Sequence, residues 1–171
     1  MERLLRVTKV IDTIGEWIGK TFAWLIIPLV GVMTYEVISR KFFGSPTVWS
    51  YDITYMLYGS IFMLGAGYTL LKKGHIRTDI FYNRFPVRVQ GTIDAVLYLL
   101  FFFPGMAFFL WAGWDEAWHA FTIREKSDAS PWRPPLYPYK FVIPATAALL
   151  IVQGVSEFLK SVYAMLKGRW P

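Results

Sequence analysis

Few side chains in this 171-residue chain could do chemistry, and their spacing decides which chemistry is open to them. Cysteine is absent, which removes disulfides, thiolate nucleophiles and thiolate-ligated metals together. Of the two histidines, His75 stands four residues before Asp79, a spacing that could turn two metal ligands the same way. Two ligands without a third make a weak site, and a local hydrogen bond after the turn at Gly74 is the favoured reading. Asp115 and Glu116 are adjacent, so on a helix they point apart, whereas paired-carboxylate catalysis needs both to converge on one bond. No serine lies in a nucleophile-elbow context, and neither an HExxH motif nor a glycine-rich phosphate loop occurs. The chain reads as a non-enzyme with no cofactor, and any transport it supports draws its energy from elsewhere than ATP.

Three further acids, Glu36, Asp52 and Glu157, lie near apolar runs, where an ionisable group is a functional candidate by default. All three fall towards the ends of those runs. Glu36 and Arg40 are four apart, on one helix face, and form a candidate interfacial ion pair. Glu157 has Lys160 within reach, and Gln153 is the one strongly polar side chain in the last apolar run, able to join helices by hydrogen bonding. None sits at a midplane position suited to a coupling ion. The apolar runs read as packing surfaces.

The elements that position these residues follow from composition. Hydrophobic residues make up 55% of the chain and aromatics 19%, against 18% charged, a balance that suits a membrane and not a soluble globule. The net charge of +6 is carried by basic residues flanking apolar runs, so nucleic acid is not the expected partner and membrane lipid is. Leu4, Val7, Ile11, Ile14 and Ile18 form a stripe with Arg3, Arg6, Lys9, Asp12 and Glu16 elsewhere on the wheel. That pattern predicts an amphipathic interfacial helix over residues 2–18, with an extension of the first span as the alternative. Four transmembrane helices are predicted near 20–39, 53–71, 95–114 and 141–159, all in one membrane domain covering residues 1–171. Pro28 and Pro104-Gly105 are expected to bend the first and third, and Gly44-Ser45-Pro46 to end the first. Gly59, Gly65, Ala66 and Gly67 give the second a small-residue surface. Lys and Arg number twelve in the two termini and the loop after the second span, against six in the other loops, which places both termini in the cytoplasm. His75 and His119 then fall on opposite sides of the membrane, against a shared haem.

Within that frame, residues 40–86 carry a recognisable combination. A loop ends in Trp49-Ser50-Tyr51-Asp52, an aromatic span passes through Leu64-Gly65-Ala66, and Gly74-His75-Ile76-Arg77-Thr78-Asp79 follows, before a short segment ending Arg84-Phe85-Pro86. This combination resembles the small membrane subunit of TRAP (tripartite ATP-independent periplasmic) transporters. The later Ser130-Pro131-Trp132-Arg133-Pro134-Pro135 segment, running on to Tyr137 and Tyr139, is similar to members of the same family. Asp52 is one methylene shorter than the glutamate the family usually has there. The resemblance implies an all-α integral membrane protein that acts as a scaffold. Its partners would be a large, roughly twelve-span subunit holding substrate and sodium sites, and a periplasmic binding protein that delivers an organic acid. Trp49, Asp52, Gly65, Ala66, Gly74, His75, Arg77 and Asp79 become candidate subunit-interface residues, and Trp132, Arg133, Tyr137 and Tyr139 candidate outer-loop docking residues. A stand-alone four-span proton-coupled exporter would need Glu36 in a shared central cavity, and a respiratory anchor subunit would need haem ligands. Both rank below the scaffold reading.

Overall fold

The computed structural model describes residues 2–74 and 82–171, and within them the secondary structure is helical apart from connecting loops and one isolated bridge. Its elements are α1 (Glu2–Ala23), α2 (Ile26–Phe42), α3 (Ser50–Leu71), α4 (Val87–Leu97), a π-helical turn (Tyr98–Phe102), α5 (Phe103–Thr122), α6 (Tyr137–Lys140) and α7 (Val142–Lys167). By length and composition three segments suffice to cross a membrane: Leu4–Phe42, Val87–Thr122 and Tyr137–Lys167. α3 is a fourth long helix, of 22 residues, whose one carboxylate, Asp52, lies in its first turn.

α1 does not stop at Ile18. It runs to Ala23 and passes into α2 across Trp24 and Leu25. Pro28 explains the interruption: it has no N–H to offer the preceding turn, and the backbone tightens there. The N–H groups of Leu25 and Ile27 donate to the carbonyls of Phe22 and Trp24 (3.1 Å each), a three-residue spacing in place of four. A second proline acts differently. Pro104 lies just inside α5, and the turn before it widens until the Phe103 N–H reaches the Tyr98 carbonyl. The helix therefore runs unbroken from Val87, eight residues earlier than residue 95 where the sequence places its start, to Thr122. A π turn admits the proline without a break.

α7 is the axis of the bundle, with α4, α5, α3 and α1 packed around it. Small residues make this possible. Ala147, Ser156 and Ala164 are fully buried on α7, as are Ala117 and Ala120 on α5. A Cβ on Gly91 of α4 would come within 2.6 Å of the Met165 nitrogen and 2.7 Å of the Ser161 carbonyl, so these two backbones touch. The outside of the bundle is the reverse. Trp17, Phe42, Phe62, Phe101 and Trp111 are all at least 69% exposed, a surface that water would not tolerate and lipid or a partner would.

The small-residue surface predicted on α3 divides between two directions. Gly59 receives the ring of Tyr139 and Gly67 faces Leu149, both inside the chain. Gly65 faces open space, with no atom within 4 Å of where its Cβ would be, and Ala66 is half-buried.

Candidate functional site

At the end of the bundle where α3 begins, the chain builds a polar clamp from segments far apart in sequence. Asp52 is its centre, in the first turn of α3, where the helix dipole favours a carboxylate. It is 1% exposed. The hydroxyls of Ser127 and Ser130 donate to its two oxygens, one serine to each. Each serine oxygen in turn accepts a backbone N–H two residues further on, from Ala129 and Trp132 respectively, at 3.2 Å. Among the described residues no basic side chain pairs with Asp52. Its charge is met by hydroxyls and by the start of the helix.

The loop that supplies these serines is closed on itself. The Ser127 N–H donates to the Pro134 carbonyl (2.8 Å) and the Leu136 N–H to the Glu125 carbonyl (2.9 Å), around a single antiparallel bridge between Lys126 and Pro135. Arg124 and Arg133 take positive φ at its two corners. Lys140 fixes its base, with its ammonium 2.6 Å from both Glu116 of α5 and Glu125.

The other outer residues singled out from sequence gather around this clamp. Trp49 caps α3 and stacks on Tyr35 with centroids 5.7 Å apart. Glu36 takes Arg40 at 2.6 Å on one oxygen, while the other accepts the Thr47 N–H (3.0 Å) and the Thr47 hydroxyl. The end of α2 is thus fastened to the segment that leads into α3. Tyr139 packs on Tyr55, Tyr137 edges against Phe121, and Trp132 stays about half exposed. Arg133 pairs with Asp128 across the exposed loop tip.

At the opposite end Gly74 follows α3. Its N–H donates to the Thr69 carbonyl (2.8 Å), while Lys73, not the glycine, takes the left-handed conformation. His75, Arg77 and Asp79 lie outside the described residues.

One site escaped sequence reasoning. Asp12 falls on the polar side of the α1 wheel and was expected to face headgroups; instead it turns inward onto α7. One oxygen accepts from Gln153 (3.0 Å) and Ser156 (2.7 Å), and the other pairs with Lys160 at 2.8 Å. Lys160 also binds Glu157 at 2.7 Å, and Glu157 is buried. The reason is steric. Thr8, Gly15 and Gly19 share Asp12's side of α1 and let the helix approach Ser156, Gln153 and Tyr68 closely, leaving Val7 and Ile14 exposed. The small residues at spacing three and four were the available signal.

The arrangement holds helices together and presents an outer loop; among the described residues no group of three potential metal ligands converges. Comparison with known proteins agrees in kind. Residues 29–163 match the family model of the DctQ component of tripartite ATP-independent periplasmic transporters. Over 94 residues the chain is 30% identical to the sialic acid TRAP transporter permease protein SiaT of Haemophilus influenzae (strain 86-028NP). That stretch is 55% of this chain and 15% of the relative, so the chain spans a small part of that protein's length. A family match over most of the chain, on an all-helical bundle with long apolar helices, decides the assignment: this protein belongs to the DctQ family and is a small TRAP transporter subunit.

Proposed function

We propose that this chain is the scaffold of a sodium-coupled TRAP transporter that imports an organic acid. It sits in the cytoplasmic (inner) membrane of a bacterium or archaeon with four spans and both termini in the cytoplasm. α3 supplies the fourth span: its 22 residues extend about 33 Å at 1.5 Å per residue, enough for a hydrocarbon core of about 30 Å. The partners are a large, roughly twelve-span subunit that holds the substrate and ion sites, and a periplasmic binding protein that meets the outer loops. The observation that carries this reading is the Asp52 clamp, in which the most buried acid among the described residues is spent on fastening a loop to a helix. The match to SiaT supports a larger partner, since the matched stretch is 15% of a permease whose remaining length is another segment. The stand-alone exporter is not favoured, because Glu36 is engaged by Arg40 and Thr47 near the end of α2.

A mild-detergent pull-down of the tagged chain from its native membranes, with mass spectrometry of what co-elutes, tests the proposal. A stoichiometric membrane protein of about twelve spans is the expected companion. Recovery of this chain alone, as a stable homo-oligomer with transport activity of its own, overturns it.

A further inference from the structure

The end of the bundle opposite the clamp carries a cluster that the scaffold role does not use. α7 stops at Gly168, whose φ of 68° reverses the chain, and the following residues fold back over α4 and the end of α3. Trp170 lands between them. Its indole N–H donates to the Gln90 side-chain carbonyl (3.4 Å), and the Lys73 ammonium lies 4.7 Å from its ring centroid. Gln90 is itself fixed, its amide donating to the Phe85 and Tyr82 carbonyls. The Arg88 guanidinium passes along Gly168, its Nε 3.2 Å from where a Cβ would stand. Lys167 and Arg169 flank that glycine.

These four cations differ from six others in the protein. Lys20, Lys72, Arg40, Arg133, Lys140 and Lys160 each have a carboxylate partner. Lys73, Arg88, Lys167 and Arg169 are exposed and have none among the described residues. Three elements bring them to the end of the bundle that holds a half-buried tryptophan, at the ends of apolar helices, where an indole anchors at headgroup depth. A guanidinium offers a planar fork to phosphate oxygens, and the ammonium over the indole is held ready as a second contact.

We propose that Lys73, Arg88, Lys167, Arg169 and Trp170 form a binding site for the phosphate headgroup of an anionic phospholipid. The site rests on the membrane-spanning reading above, which puts these residues in the headgroup region. The lipid would seal the junction of α3, α4 and the chain after α7, where no side chain among the described residues neutralises the charge.

The test is native mass spectrometry of the purified full chain in detergent, offered phosphatidylglycerol or phosphatidylethanolamine. Wild type is expected to retain phosphatidylglycerol in preference. Lys73→Gln with Arg88→Gln is expected to cut that retention by about twenty-five-fold, from roughly fivefold per cation near a charged surface. Lys167→Gln with Arg169→Gln, exposed and remote from the packed core, is expected to act in the same direction. Lys126→Gln with Arg124→Gln makes the same charge change at the other end and is expected to leave retention unchanged. Equal retention of the two lipids, an equal loss from the Lys126/Arg124 pair, or full displacement of lipid by millimolar inorganic phosphate would each overturn the site. Failure of the spanning reading is distinguishable, because the chain would then leave membranes on carbonate washing whatever its lipid preference.

Discussion

Replacing Asp52 by alanine removes two charge-assisted hydrogen bonds and leaves the Ser127 and Ser130 hydroxyls without their acceptor. Such bonds contribute about 1.5–3 kcal/mol each, and the loss belongs near the lower end because half-buried Ser130 can turn to water. A cost of about 3 kcal/mol to docking the loop at residues 123–136 is the working figure. Because the loop is joined to the bundle chiefly at this point and at Lys140, most of that cost falls on local opening. Amide exchange over residues 127–136 is therefore expected to speed up on the order of a hundredfold, with α7 little changed. A double-mutant cycle sharpens the test. Ser127→Ala alone leaves a buried carboxylate short of a donor and destabilises; in the Asp52→Ala background the same change has nothing left to remove. Denaturant unfolding in detergent should give a coupling of about 1.5 kcal/mol or more between the two sites. Additive energies together with unchanged exchange in the loop would refute the clamp.

Three other outcomes follow from the packing. Lys160→Met strands Asp12 and Glu157 beside each other without their shared cation, and is expected to cost about 3–5 kcal/mol in denaturant unfolding. Asp12→Asn, which keeps the shape and removes one charge, is expected to cost clearly less. Gly91→Ala drives a Cβ into the backbone of α7 and should destabilise by about 3 kcal/mol, seen as a lower midpoint of thermal unfolding. Gly65→Leu meets open space, so the isolated chain should unfold as wild type does. If Gly65 lies in the subunit interface, the same change should reduce recovery of the large subunit in a pull-down.

How legible the molecule was in its sequence depends on how local each feature is. The uncharged run after Asp52 and the four-residue spacing of Glu36 and Arg40 are local, and both can be read from composition and helical period. Proline effects were visible in place but not in kind. Pro28 tightens a turn and Pro104 follows a widened one. The partners of Asp52 were not legible, because Ser127 and Ser130 lie more than seventy residues away and a serine in a polar loop carries no pattern of its own. Asp12 was misplaced for a related reason. A helical wheel sorts polar from apolar, and it cannot tell a polar face turned to headgroups from one turned onto Gln153, Ser156 and Lys160. His75, Arg77 and Asp79 remain sequence candidates outside the described residues.

The central claim is that this chain assists transport without performing it. Solute uptake into proteoliposomes under an inward sodium gradient, with the binding protein supplied outside, tests it most directly. No uptake is expected with this chain alone, and uptake is expected when it is reconstituted with the large subunit. Uptake by this chain alone, or undiminished uptake by the large subunit without it, would refute the scaffold role.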